Sequence, residues 1–291
     1  MKPLVTVVTP TYNRVKYLHA LFKSLEAQTS KNFKWMIVDD GSTDETESTV
    51  MSFPKDFFPI SYLHKDNGGK HTALNMAFDS VDTELTFIVD SDDILTPDAI
   101  ESIEKDWEAH KADNLCGISY LRGYTDTDVI GDIFPKDDAI DSYINLRVNK
   151  NIRGDKAEVW LSDRLKKYRF PVFENERFLG EGYVWIRVSR GNNMLFRNKI
   201  LYITKYLEGG LSRSGRALRI RCPRGGMAMA LTTMSKEFNL SHRIKQAILY
   251  TCYSKLADYS FKQMKENPYP ILTILCYPAG FILYKWWKRL L

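Results

Sequence analysis

The chain lacks most of the short motifs that would settle its chemistry directly. Its four cysteines, Cys116, Cys222, Cys252 and Cys276, form no C-x-x-C pair. That removes the usual zinc and dithiol arrangements and fits a reducing compartment. No G-x-G-x-x-G follows the first apolar run, which disfavours a dinucleotide fold. Gly68-Gly69-Lys70-His71 lacks the spacing of a P-loop. Internal repeats and low-complexity tracts are absent. The apolar run Leu4–Val8 is too short for the core of a secretory signal, so none is expected.

What is present is a sequence of 291 residues with 44% hydrophobic content, enough for one large α/β domain and an appendage. Charge is unevenly spread. Residues 1–196 carry 24 Lys and Arg against 32 Asp and Glu, whereas residues 197–291 carry 17 against 4. The C-terminal third therefore suits an anionic partner: lipid head groups, nucleic acid or a phosphorylated substrate.

The chain is organised around Phe87-Ile88-Val89-Asp90-Ser91-Asp92-Asp93. An apolar run reading as a buried strand ends in three carboxylates within four positions. Like charges at the end of a buried strand repel and are costly to desolvate, so a positive partner is required. A hard divalent cation, Mg²⁺ or Mn²⁺, suits oxygen ligands shared with substrate phosphates. Taken alone, the stretch could also be an acidic loop capping the helix that begins near Thr96-Pro97-Asp98.

Upstream, Leu4–Val8 reads as a strand running into the turn Thr9-Pro10-Thr11-Tyr12-Asn13. A helix follows with Leu18, Leu21, Phe22 and Leu25 on one face. Trp35–Val38 is a second strand, closed by Asp39-Asp40-Gly41-Ser42, and Ile60–Leu63 a third. Asn67-Gly68-Gly69 is a turn opening a helix at Lys70. This β-α-β-α-β-α-β order with near-continuous apolar strands predicts a mostly parallel sheet covered on both faces. Ligands of such sheets bind at the carboxyl ends of the strands, where Tyr12, Asp39, Asp40, Asp90, Asp92 and Asp93 fall. Further on, a helix is expected over 100–107, a strand over 116–121, a surface excursion over 122–150, a polar helix over 155–169 and short strands at 193–196 and 200–204.

Those groups suit a nucleotide-diphospho-sugar. Asp40 can accept the imide N–H of uracil or a ribose hydroxyl, and Tyr12 can lie against the base. Asp92, helped by Asp90, can hold the metal. Gly68-Gly69-Lys70 offers a helix N-terminus and a cation to phosphate.

Thr9-Pro10-Thr11-Tyr12-Asn13-Arg14, Val38-Asp39-Asp40-Gly41-Ser42-Thr43-Asp44, Asp66-Asn67-Gly68-Gly69 and Val89-Asp90-Ser91-Asp92-Asp93, in this order, resemble the signatures of family 2 glycosyltransferases with the GT-A fold. The resemblance covers roughly residues 3–205. It implies an α/β fold, transfer of a sugar from a nucleotide-sugar, usually UDP-linked, and inversion at the anomeric carbon. It places Asp40 at the base contact and Asp90 and Asp92 on the D-x-D positions serving ribose and metal. Pro10 and Ser91 join the donor-binding set. The general base of the family falls at Glu181 in Phe178-Leu179-Gly180-Glu181-Gly182; Gly182 stands where an Asp is usual, and Glu174 and Glu176 are competing acids nearby.

The division expected is residues 1–207 as the catalytic domain and 208–291 as a basic helical extension. Arg213, Arg216, Arg219 and Arg221 could close on the diphosphate or meet a polyprenyl-phosphate acceptor or anionic lipid. Nucleic acid fits poorly, because no aromatics interleave these arginines. His242 reads as a surface histidine. Tyr269–Trp287 is strongly apolar and ends in Lys285-Trp286-Trp287-Lys288-Arg289, three features that suit a membrane surface; a packed terminal helix and a true span are the other readings. The expectation is a metal-dependent (Mn²⁺ or Mg²⁺) inverting glycosyltransferase, cytoplasmic and peripheral to the membrane, acting on a lipid-linked saccharide in surface polysaccharide synthesis. A sugar nucleotidyltransferase would need a Gly-rich basic loop after the first strand, which Pro10–Arg14 does not supply. A non-catalytic nucleotide-sugar-binding homologue is the other alternative.

Overall fold

A computed structural model of the chain describes residues 2–111, 115–204 and 217–289. It contains two compact units, one built from residues 1–169 and 188–205 and the other from 170–187 and 206–291.

The first unit is built on a nine-stranded sheet. Its centre is β1 (Val5–Thr11), entirely buried, with β2 (Phe33–Asp39) on one side and β4 (Leu85–Ile88) on the other. Both pair with β1 in parallel, and β3 (Ile60–His64) adds in parallel outside β2. Strands buried on both faces need continuous apolar residues, as these sequences have. α1 (Val15–Glu26) joins β1 to β2 and buries Leu18, Leu21, Phe22 and Leu25, the stripe its spacing predicts. Phe22 stacks on Phe53 with centroids 4.5 Å apart.

Beyond β4 the sheet becomes mixed. β8 (Lys156–Leu161) lies antiparallel to both β4 and β6 (Leu115–Gly123). β9 (Asn193–Ile203) runs parallel to β6, and carries the short antiparallel strands β5 (Ile94–Leu95) and β7 (Ala139–Asp141). Here two expectations are corrected. The polar helix expected over 155–169 is instead β8 followed by the short helix Ser162–Leu165. Ala157, Val159 and Trp160 are fully buried between two partner strands, and that pairing outweighs the helix propensity of the flanking charged residues. The two short strands expected at 193–204 are one strand of 11 residues.

In the second unit, the helices Pro223–Thr232, Leu240–Leu256, Phe261–Lys265 and Pro270–Lys288 surround a core that includes Met234, Ala247, Cys252 and Met264. Small residues set the spacing: a Cβ on Gly280 would lie 2.5 Å from Thr251 Cβ and 2.7 Å from the Ile248 carbonyl oxygen. Residues 170–187 belong to this unit because Glu176 ties them in. Its Oε1 accepts the Arg224 N–H and its Oε2 the Gly225 N–H, each at 2.8 Å. The buried carboxylate thus caps the helix Pro223–Thr232, whose first N–H groups have no partner within the helix. His242 is not a surface group; it is half-buried and stacked on Phe238 at 5.3 Å, and burial lowers its pKa.

Glu176→Ala should therefore lower stability by ~1–2 kcal/mol, the usual cost of losing a cap, with Glu176→Gln falling between the two in a thermal melt. An unchanged melting temperature in the alanine variant would show that the cap contributes nothing.

Candidate active site

The carboxyl ends of β1, β2 and β4 form one edge. Thr11 stands beside Asp39 in register, Asp40 N–H donates to the Thr11 carbonyl at 2.9 Å, and Val89 N–H donates to that of Val8 at 2.9 Å. Asp39 ends β2 at that edge, and Asp40, Asp90, Asp92 and Asp93 lie on the loops leaving it. The loops are cross-tied. Asn13, at φ +50°, takes the Thr43 N–H on its side-chain oxygen at 2.8 Å and gives its own N–H to Ser42 Oγ at 2.9 Å. Asp44 accepts from Val15 N–H and from Thr46 N–H and hydroxyl, so one carboxylate caps the first turns of α1 and of α2 (Thr46–Ser52). Pro10 is buried at the end of β1, while Tyr12 is 45% exposed, free to offer a ring face.

Asp39, the last residue of β2, and Asp40 after it are both consumed inside the protein. Asp39 Oδ1 accepts the Ser42 N–H at 2.8 Å and Oδ2 the Tyr62 hydroxyl at 2.6 Å. Burial first, and that bond next, push the Tyr62 hydroxyl well above its usual pKa. Asp40 is 3% exposed. Its Oδ1 takes Lys65 Nζ at 2.7 Å and the Gly68 N–H at 3.0 Å; its Oδ2 takes the Gly69 N–H at 2.7 Å and Asn67 Nδ2 at 3.2 Å. The loops meet so closely that a Cβ on Gly41, at φ +84°, would lie 2.7 Å from Asn67 N, which only glycine avoids. The N–H groups of the Gly-Gly turn, expected from the sequence to face phosphate, here hold the Asp40 carboxylate.

α3 (Lys70–Ser80) begins directly after this turn. Its first residue, Lys70, forms an ion pair with Asp90 through Oδ1. Arg14 reaches Asp92 Oδ2 at 2.8 Å. Arg122 lies 3.9 Å from Asp93 Oδ2 and, at the same distance, over the Tyr202 ring. The Tyr202 hydroxyl accepts the Asp90 N–H at 2.8 Å. Where the sequence demands positive charge, the chain brings its own cations to all three acids. Burial disfavours ionised Asp90, but Lys70, then Arg122 and Arg14, outweigh it and hold its carboxyl below the usual range. Asp93 is different. Burial, and then the Asp90 charge, push it up to about 7 against the opposing Tyr202 hydroxyl and Arg122. Ser91 is buried between these acids in the chain, 5% exposed.

Carboxylate oxygens from Asp92 and Asp90 are a fitting donor set for Mg²⁺ or Mn²⁺. Among the described residues no group of three or more His, Cys, Asp or Glu converges on one point. Where two carboxylates hold such an ion, substrate phosphates and water usually complete the shell. Arg122 and Tyr202 escaped the sequence reading, since only the β6–β9 and β5–β9 pairings bring them to the acidic loop. Glu181 lies in the second unit, half-buried, at the start of the helix Gly182–Ser189, where its carbonyl accepts the Val184 and Trp185 N–H groups. Glu174 is exposed, and Glu176 is the cap described above. Arg213 and Arg216 lie outside the described residues.

The sequence profile of Glycosyl transferase family 2 matches residues 6–189. Glycosyltransferase GlyA of Streptococcus pneumoniae is 29% identical over 221 residues, 72% of this chain and 31% of that protein, so the chain spans about a third of the relative's length. The GalNAc(5)-diNAcBac-PP-undecaprenol beta-1,3-glucosyltransferase of Campylobacter jejuni is 29% identical over 212 residues, 70% of this chain and 63% of that one. Staphylococcus aureus TarS in complex with UDP-GlcNAc superposes with a TM-score of 0.63 at 18% identity, covering 99% of this chain and 92% of the other. The mannosyltransferase PcManGT of Pyrobaculum calidifontis, in complex with GDP-Man and Mn²⁺, does so with a TM-score of 0.60 at 18% identity, covering 99% and 83%. The structural likenesses identify the fold as GT-A. The profile spans well over half the chain, and the signatures within it are the ones that meet at the carboxyl edge of β1, β2 and β4: the chain belongs to glycosyl transferase family 2.

Proposed function

We propose that this chain transfers a sugar from a nucleotide-diphospho-sugar, UDP-linked, to a hydroxyl of a lipid-linked saccharide, with inversion, in the synthesis of a surface polysaccharide. The observation that carries the reading is the continuous line of contacts along one sheet edge, from Asp40 through Gly69 and Lys70 to Asp90. It supports a row in which Asp40 meets the base, Lys70 supplies a cation and Asp90 opens the D-x-D acids. TarS, with UDP-GlcNAc, supports the donor class, and the Campylobacter enzyme, named for an undecaprenol-linked saccharide, supports the acceptor class. A lipid-linked acceptor puts the reaction at the cytoplasmic membrane face, with the chain peripheral to it.

In this reading Tyr12 lies against the base beside Pro10. Asp40 reaches the base or ribose by exchanging a side-chain donor, Lys65 or Asn67, while its two backbone bonds persist. Asp90 and Ser91 take the ribose side. Lys70 and Arg14, paired with acids in the free protein, turn toward the diphosphate. Mn²⁺ or Mg²⁺ held by Asp92 and Asp90 would offset charge growing on the leaving diphosphate; PcManGT with Mn²⁺ supports a divalent ion here. Glu181 removes the proton from the acceptor hydroxyl as the nucleotide leaves from the opposite face.

A panel of nucleotide-sugars incubated with Mn²⁺ and membranes should release UDP from one member; release from none, across UDP- and GDP-sugars, would end the reading. Glu181→Gln should lower turnover by about 10²–10⁴-fold, the usual contribution of a general base, with donor affinity by calorimetry unchanged. Asp92→Asn should weaken Mn²⁺-dependent donor binding and lower turnover by roughly 10²-fold or more. Native turnover in either variant would remove that residue from its role.

A further inference from the structure

The helix Pro270–Lys288 is apolar around its circumference, yet only one face is covered. Thr273, Cys276, Gly280 and Trp287 are buried, packed in the second unit's core beside Leu240–Leu256, with Trp287 edge-on to Tyr253. The opposite face carries Ile271 (74% exposed), Leu275 (74%), Ile282 (70%) and Trp286 (50%) at four- and seven-residue spacings. Helical geometry puts these on one stripe. No described helix is long and apolar enough to cross a membrane. An uncovered stripe of large apolar side chains on a folded unit marks an interaction site.

What covers it is indicated by its flank. Phe261, Tyr277, Phe281 and Tyr284 form a ladder of ring contacts, centroids 4.7, 6.0 and 5.9 Å apart in turn. Three lysines sit over it: Lys265 over Phe261 at 5.1 Å, Lys285 over Phe281 at 5.4 Å and Lys288 over Tyr284 at 5.7 Å. These contacts hold ammonium groups beside an apolar face rather than leaving them to wander in solvent. A protein seam has little use for a row of lysines, since interface cores are depleted in them. The headgroup layer of an anionic bilayer uses everything here: apolar side chains for the acyl boundary, Trp and Tyr rings at the polar boundary, and Lys for phosphate. We propose that this face of Pro270–Lys288, flanked by the lysine-decorated aromatic ladder, is a docking surface for anionic lipid bilayers on which the helix lies without spanning. The inference deepens the lipid-linked acceptor reading but is independent of the donor chemistry.

The full chain should sediment with phosphatidylcholine vesicles containing phosphatidylglycerol and stay in solution with phosphatidylcholine alone, binding more weakly as salt rises. Leu275→Glu with Ile282→Glu, both exposed, should weaken vesicle binding about tenfold or more while leaving the thermal melt and nucleotide-sugar binding intact. Lys285→Glu with Lys288→Glu should do the same on anionic vesicles. The proposal is overturned if the wild-type chain ignores anionic vesicles, or if the apolar double variant sediments as well as wild type. It is equally overturned if the wild type forms a dimer that this variant dissociates without any vesicle binding, which makes a second copy the occupant. Failure of the sugar-transfer reading would appear separately, as absent UDP release from vesicle-bound protein.

Discussion

Three carboxylates leave a buried strand within four residues, and the first unit is arranged so that none of them stands alone. Arg14 comes from the turn after β1, Lys70 from the first position of α3 and Arg122 from β6. Each cation is brought from a separate element, so charge balance at this edge depends on the sheet order itself. The balance is local to each acid: Asp90 is held ionised by three cations, while Asp93, deeper and beside Asp90, is pushed toward neutrality. A site built in this way can admit a diphosphate and a divalent ion by exchanging partners. Arg14 and Lys70 would then be available to phosphates while Asp92 and Asp90 would hold the ion, and net charge would change little.

Asp40 shows the same economy. The N-terminus of α3 attracts anions because its first N–H groups lack partners in the helix. Here the N–H groups of Gly68 and Gly69, just ahead of that helix, hold the carboxylate of Asp40, the residue after β2, and join two loops. The bonds to Gly68 and Gly69 come from backbone and cannot leave without moving the turn. Those to Lys65 and Asn67 come from side chains that rotate at low cost. Any ligand group reaching Asp40 must therefore compete with the second pair, and the loop stays in place while it does.

Much of this was legible in the sequence, and the reason for the rest is physical. β1, β2 and β4 are continuous apolar runs because both of their faces are covered, and turn residues end each one. The acids that follow were therefore placed on one edge from pattern alone. Which acid meets which cation was not legible. Lys70 and Asp90 are 20 residues apart, and Arg14 and Asp92 are 78 apart; only the sheet brings each pair together. β8 read as a helix because its flanks are charged and its alternation is broken by the pair Val159-Trp160, and the pairing with β4 and β6 decided otherwise. Glu176 read as a rival base because sequence shows an acid near Glu181 but not the two N–H groups it caps.

Gly182, where an acid is usual in the family, has a local cause. A Cβ there would lie 3.1 Å from Met229 Cε on the helix Pro223–Thr232, itself fixed by Glu176. The methionine end can yield to a methyl group. A carboxylate would have to displace it and would then stand beside its thioether. The cap, the methionine and the glycine lie side by side, and a longer side chain at Gly182 has to move the methionine end. If deprotonation of the acceptor is the work of this segment, one carboxylate carries it, held at the backbone by the Val184 and Trp185 N–H groups on its carbonyl.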